Sequence, residues 1–360
     1  MGEFPFVKVF YYTPLEINAQ PLQILKTHRS EYQPALAWFG YVLLASILML
    51  IYAGAFTTTI KAGMVFPDWP LSNGSINPEG WLTNQALFAE HSHRLIGATV
   101  GILCIVLVIW LWRRESRGWL RALGWLTLAL VILQGGLGGT RVLLNSLSFA
   151  MVHGILAQGF LCLVATVALA LSPLWHNAHP SRSPAATATG ARLRTWGLWI
   201  TGILFAQLLV AVLMRHLDAG MSIPTFPLTP EGTLVPVTWD AGIFLNFAHR
   251  ALAAVLFVGI VAWSWRIVQS PHTSGGSKLL ACVTTLILFI QIGLGASIVW
   301  TERLAVPTSL HVLNGALLLA ATWSLTFLFF KPWIEGIAPA APRGRSATTQ
   351  SPLHPSAARA

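Results

Sequence analysis

Eight stretches of this chain are each long and apolar enough to cross a lipid bilayer, and that series of greasy runs limits the fold more than any other feature. A helix spanning ~30 Å of hydrocarbon needs about 20 predominantly apolar residues. Runs of this kind fall at 36–60, 86–112, 120–140, 149–172, 196–216, 241–266, 279–299 and 308–330. Only 9% of the residues are charged and 55% are hydrophobic, whereas soluble domains carry about 25% charged residues. The expected fold class is an all-α integral membrane protein with eight transmembrane helices. The 16 Trp residues suit the aromatic belts of membrane interfaces.

The formal net charge of +10 could point to nucleic acid, but the basic residues form no single patch. They fall in short loops between the apolar runs, so no nucleic-acid partner is expected. Sixteen of them belong to the two chain ends and one alternate set of loops, which holds Arg113, Arg114, Arg117, Arg121, Arg182, Arg192, Arg194, Arg266 and Lys278. The other set holds four: Lys61, Arg141, Arg215 and Arg303. An excess of Lys and Arg marks the cytoplasmic side, so both termini are expected inside. The lead lacks the compact apolar core and cleavage site of a signal peptide. The Ala/Ser/Thr/Pro-rich stretch 178–195 reads as a flexible linker, and the tail beyond about 337 reads as disordered. The organisation expected is a cytoplasmic lead (1–35), a four-helix bundle (36–172), a cytoplasmic linker (173–195), a second four-helix bundle (196–330) and a cytoplasmic tail (331–360). Cys104, Cys162 and Cys282 all lie inside apolar runs and read as small core residues.

The two bundles look like copies of one another. At an offset of about 157 residues, AGMVFPDWPL (62–71) matches AGMSIPTFPL (219–228), and QGGLGGTRV (134–142) matches QIGLGASIV (291–299). His93-Arg94 matches His249-Arg250, and His153 matches His311. Each half begins inside and holds four spans, so the repeat is parallel and implies a pseudo-twofold axis along the membrane normal.

The four matched histidines all lie near the outer ends of their spans, two in each half. A lone histidine in a membrane helix usually satisfies an interhelical hydrogen bond. Four at one depth, paired twice by a duplication, point to function. Two imidazoles on facing helices of a bundle suit axial ligation of a haem iron. Zinc is disfavoured, because it would want further Cys, His or carboxylate ligands at each site. Gly97, Gly101, Gly135, Gly136, Gly138, Gly139, Gly293 and Gly295 would let a flat macrocycle lie against backbone, or else let helices pack closely. Arg94 and Arg250 could hold haem propionates or reach out to lipid phosphates.

Glu90 stands three residues before His93 and shares its helix face. An acid there needs a partner or a task. It could take a proton or stabilise positive charge beside a haem edge, or simply pair with Arg94 or His91. The second half has Asn246 at that position, which can do no acid–base work. This asymmetry suggests a reactive haem site in the first half and a holding or electron-transfer site in the second. Outside the membrane, Asp68-Trp69-Pro70 and Phe226-Pro227 could roof the pockets or anchor the neighbouring helices at the interface.

Taken together, these residues resemble the haem A synthase family of membrane enzymes that act beside cytochrome oxidase assembly. The resemblance covers about residues 36–330. It rests on the FPDWPL loop (66–71), Glu90-x-x-His93-Arg94, QGGLGGTRV, His153, His249-Arg250 and His311. It implies oxidation of the C8 methyl of haem O to a formyl group by successive hydroxylations, giving haem A. It also implies haem O and haem A as substrate and product between His93 and His153, with Glu90 essential there, and a resident haem b between His249 and His311. A multi-pass place in a bacterial inner membrane follows from the resemblance, as do two partners: haem O synthase, a protohaem farnesyltransferase, and a membrane or soluble electron-transfer protein. A homo-oligomer stays open. The chain departs from relatives that carry a cysteine pair in the outer loops, since 61–85 and 217–240 contain no Cys.

Two other classes compete with the enzyme. A non-enzymatic di-haem b-type cytochrome trading electrons with quinone needs the same four histidines, but has less use for a carboxylate at one haem only. A transporter built from repeats would want broken helices and polar groups at mid-membrane, whereas the ionisable residues here cluster toward the outer face.

Overall fold

The computed structural model of the chain describes residues 32–178 and 183–336. The lead before 32, the tail beyond 336 and residues 179–182 of the expected linker lie outside them. Eight helices have the length and apolarity of membrane spans: span 1, Pro34–Thr59; span 2, Gln85–Arg114; span 3, Gly118–Leu144; span 4, Leu147–Leu171; span 5, Pro184–His216; span 6, Ala241–Gln269; span 7, Gly275–Trp300; and span 8, Ala305–Leu328. The described residues contain no β-strand, only an isolated bridge between Ser72 and Ser75. The protein is an all-helical, multi-pass membrane protein.

Short polar side chains set several helix starts by accepting from the first free backbone N–H groups. Asn84 accepts from Ala86 and Leu87 at 2.9 and 3.2 Å, Asp240 from Ile243 at 2.7 Å, and Ser274 from Ser277 at 3.1 Å. The same chemistry moves the start of span 5. Ser183 caps Ala186 at 3.2 Å and Pro184 occupies the first turn, where its fixed φ is already helical. Ala185, Ala186 and Ala188 then favour helix. Much of the stretch read as a flexible linker is therefore the opening of span 5, well before residue 196.

Within each half the spans close a ring. Spans 1, 2, 3 and 4 are neighbours in that order, with 4 back against 1, and spans 5, 6, 7 and 8 do the same. Between the halves, span 1 packs on span 8, and span 4 packs on spans 5 and 8. Exchanging every span for the one four places away leaves this set of neighbours unchanged. One buried core runs through the first half around Leu43, Leu107 and Leu161, and another through the second around Ile260, Trp263 and Leu325. Trp112, Ile132, Trp199, Val258 and Leu286 stay exposed on the outer surface of the helices, as side chains do that face lipid rather than water. The segments joining spans 1 to 2 and 5 to 6 both carry a cis proline bond, at Trp69-Pro70 and Phe226-Pro227.

Candidate functional site

The helices put the four histidines in matched register. His93 and His249 are each the ninth residue of spans 2 and 6, and His153 and His311 each the seventh of spans 4 and 8. At 1.5 Å of rise per residue this sets them about 9–12 Å from the helix starts. In the second half the His249 and His311 rings face each other with centroids 6.4 Å apart and planes inclined by 56°. Two imidazoles binding one metal at roughly 2.0–2.1 Å would have centroids about 6 Å apart, so the pair has the spacing of axial ligands. In the first half, His93 and His153 lie within electrostatic reach of one another.

The Nδ1 atoms of His93, His153, His249 and His311 are all buried, with backbone groups of Leu50, Gln134 and Gln291 beside the rings of His93, His153 and His311. Two buried imidazoles held in matched register on facing helices in each half fit a bound haem there. Glycines make room for three of the rings. A Cβ at Gly54 would stand 2.8 Å from Cε1 of His93, one at Gly138 3.3 Å from Cε1 of His153, and one at Gly295 3.2 Å from Cε1 of His311. Gly101, Gly135, Gly136 and Gly293 face open space, so close packing of helices does not account for them.

Glu90 is buried and satisfied. Its Oε2 accepts from the backbone N–H groups of Val65 and Phe66 at 2.7 and 3.2 Å, and its Oε1 pairs with Arg94 Nη2 at 2.6 Å. Arg94 also donates to the carbonyls of Asp68 at 2.7 Å, Phe66 at 3.2 Å and Leu71, and lies over the Phe66 ring. Four of its five N–H donors thus go to Glu90 and the loop. Asn246 does the matching job with reversed polarity, donating to the carbonyls of Gly220 and Ala219 at 2.9 and 3.2 Å. Arg250 donates to Ile223 at 2.8 Å and lies over Phe226. It keeps more donors for a ligand than Arg94 does.

The loop after span 1 is further tied down by contacts of its own. His91 Nδ1 is 3.0 Å from Ser72 Oγ, and its ring stands edge-on to Trp81 at 4.8 Å. Asp68 accepts from Asn73 and Gly74 N–H, both at 2.7 Å. The Gly74 contact foremost, helped by Asn73 and by Arg94, holds its carboxyl below the usual range. The Trp69 indole fills the space beside Gly139, where a Cβ would come within 2.5 Å of it, so Trp69 closes over the outer end of span 3. Two amides also reach the histidine helices: Gln134 donates to the His153 carbonyl at 3.2 Å and Gln207 to that of His249 at 2.9 Å. Gln291, which matches Gln134, instead lies 3.2 Å from His311 Nε2 and accepts from Asn314 at 2.8 Å. Arg141, in the last turn of span 3, sets its guanidinium against Gly63 of the loop, where a Cβ would come 2.7 Å from Nη2. Its position near a loop gave no hint of this in sequence.

Comparison with known proteins agrees with this geometry. Residues 82–323 match the family model described as cytochrome oxidase assembly protein. The chain is similar to the haem A synthase of Geobacillus kaustophilus, 26% identical over 276 residues, which are 75% of this chain and 84% of that protein. It is similar to the haem A synthase of Symbiobacterium thermophilum, 33% identical over 229 residues, 61% of this chain and 72% of that protein. A third, from Lysinibacillus sphaericus, is 24% identical over 285 residues, 79% and 91% of the two chains.

Proposed function

The chain belongs to the cytochrome oxidase assembly family of the haem A synthases, oxidoreductases of haem A biosynthesis, and from that premise we propose that it oxidises the C8 methyl of haem O to the formyl group of haem A by successive hydroxylations. The observation that carries the two-site reading is the double histidine pair, four buried imidazoles in matched register on spans 2, 4, 6 and 8. In this reading His93 and His153 hold the substrate haem O, and His249 and His311 hold a resident haem b. The bound haem b supplies one-electron redox chemistry. Glu90 is the acid of the reactive half. All three of its contacts use it as an acceptor, the role of a carboxylate, and Arg94 with two loop amides fixes where that charge points. So held, it would stabilise positive charge at the substrate edge, and Asn246 could not do this in the second half. Arg250, with donors to spare, would hold a propionate of haem b, while Arg94 chiefly fastens the loop over the first site.

The duplication and the neighbour pattern of the spans support two bundles, about residues 36–172 and 196–330, related by a pseudo-twofold axis along the membrane normal. The charge distribution supports an inner-membrane protein with both termini in the cytoplasm and the histidine layer toward the opposite face. Haem O would arrive from haem O synthase, and electrons would leave to a separate carrier.

The test is purification from a host that supplies haem O, with chromatography and pyridine haemochrome spectra of the extracted haems. The wild-type protein should yield haem A together with haem b. His249→Ala or His311→Ala should lose the haem b signal. Glu90→Gln should keep bound haem but lower product by about 10²-fold or more, the scale of losing one aimed charge. Normal haem A formation by the Glu90 variant would end the catalytic assignment. A wild-type protein that never converts haem O would favour the di-haem electron carrier instead.

A further inference from the structure

We propose that Arg141 is the carboxylate clamp of the first-half site, pairing with a propionate of the haem held between His93 and His153 in a contact that the second half lacks. This rests on the two-site reading above. Arg141 lies in the last turn of span 3, and its guanidinium presses on the outer loop at Gly63. A Cβ there would stand 2.7 Å from Nη2 and 3.2 Å from Nη1, so the glycine leaves the slot that the guanidinium occupies. Gly138, three residues earlier and on the same face of span 3, stands against the His153 ring, where a Cβ would come 3.3 Å from Cε1, so Arg141 lies on the face of span 3 that borders the site, and its charge bears on both histidines and Glu90.

Glu90 makes no hydrogen bond to it. Its oxygens are already taken by Arg94 and by the Val65 and Phe66 amides. Arg141 has no hydrogen-bond acceptor of its own among the described side chains and carbonyls, although it is partly buried at the membrane edge. A cation drawn out of water in this way calls for an anion. A planar guanidinium is suited to a two-oxygen carboxylate, and the anionic groups of the proposed substrate are carboxylates.

The second half is built differently. Ile298 stands where Arg141 does in the first. Its nearby cation, Arg303, is half-exposed and already paired with Asp218 at 2.5 Å. The position that matches Asp218 in the first half is Lys61, so no acid waits there for Arg141. The second half has a cation without an acid partner in Arg250, near the start of span 6, but none at the place of Arg141, so the first site alone carries this further positive charge, the site where substrate must be turned round in one register for a single methyl to be oxidised. The clamp would fix which edge of the macrocycle faces Glu90.

The experiment titrates the full-length, detergent-purified protein with haemin and with haemin dimethyl ester. Binding is followed by the absorption of the bis-imidazole species and by Trp quenching. His93→Ala identifies the binding phase of the first half. In that phase the wild-type protein should bind the free acid about tenfold more tightly than the diester, the effect of one charge-assisted contact. Arg141→Leu should remove the difference by weakening the acid alone, and Arg141→Lys should keep part of it. Equal binding of acid and ester by the wild-type protein overturns the proposal, as does unchanged discrimination in Arg141→Leu, the result expected if Arg141 serves lipid phosphate. Should the Leu variant not fold, unchanged discrimination in Arg141→Lys or Arg141→Gln decides against it equally. If His93→Ala removes no phase, the two-site reading itself fails. If it removes one while the Arg141 variants behave as wild type, only the clamp fails.

Discussion

At the scale of single residues, the site depends as much on missing side chains as on present ones. Gly54 lets span 1 approach the His93 ring so closely that even a methyl group collides, at 2.8 Å from Cε1 and 3.3 Å from Nδ1. Gly54→Ala should therefore turn the imidazole and cost about 1–3 kcal/mol through overpacking. The expected result is loss of first-half haem with the second-half spectrum intact. Gly202→Ala on span 5 is the control, because a Cβ there meets nothing within 4 Å, and it should bind both haems normally. Equal haem loss in both variants would remove the ring contact as the cause. The contrast also marks what a sequence can disclose. His93, His153, His249, His311 and Glu90 stand out in the sequence because they are polar groups in apolar runs and because the histidines match between the halves. Gly54 and Arg141 do not, because their meaning lies in contacts with residues dozens of positions away. The sequence also left Glu90 open between catalysis and pairing with Arg94, and the structure supplies that pair without removing the first role.

At the scale of elements, the loop between spans 1 and 2 behaves as a built part of the site. Glu90 and Arg94 hold its start, the His91–Ser72 contact and the Trp81 ring hold its middle, and Asp68 closes the turn at Asn73 and Gly74. The lowered pKa of Asp68 fixes the sign of its pH dependence. Its stabilisation is fully present above the ordinary carboxylate value of about 3.9 and disappears only as pH falls through the lowered folded value. Loop order should thus be the same at pH 5 and pH 7. Asp68→Ala should expose residues 72–77 to protease at both. Limited proteolysis at the two pH values checks this, and a wild-type loop that opens between pH 7 and pH 5 would contradict it. This pinning was not readable from composition, since FPDWPL could equally have been an interfacial anchor. The start of span 5 was misjudged for a related reason. An Ala/Ser/Thr/Pro-rich stretch has a linker's composition, yet Ser183 and Pro184 are a capping pair and alanine is the strongest helix former.

At the scale of the whole molecule, the halves are joined by more than the covalent connection through 179–182. Spans 1, 4, 5 and 8 form the seam, and polar contacts cross it at several levels. At the end nearer the histidines, Arg215 of span 5 donates to the Ala55 carbonyl at 2.9 Å and to Thr59 Oγ1 at 2.7 Å, both on span 1. Deeper in the seam, Trp323 of span 8 donates to Thr166 of span 4 at 2.7 Å. Toward the other face, Lys331 donates to the carbonyls of Trp175 and Ala178, the latter at 2.7 Å, and the Trp175 indole donates to Glu335 at 3.0 Å. In lipid, helices associate through packing and such hydrogen bonds, because hydrocarbon offers no hydrophobic drive between them. If the seam is as self-sufficient as this suggests, the peptide connection is dispensable. A chain cut within 179–182 and expressed as two fragments should assemble, so that a tag on the first fragment recovers the second with haem bound. Arg215→Leu should lower that recovery several-fold in the cut protein, since it removes two interhelical hydrogen bonds at about 0.6–1.7 kcal/mol each. In the uncut chain the same change should matter far less, because the connection keeps the halves at high effective concentration. Recovery of the tagged fragment alone would mean that the connection, and not the seam, holds the halves together.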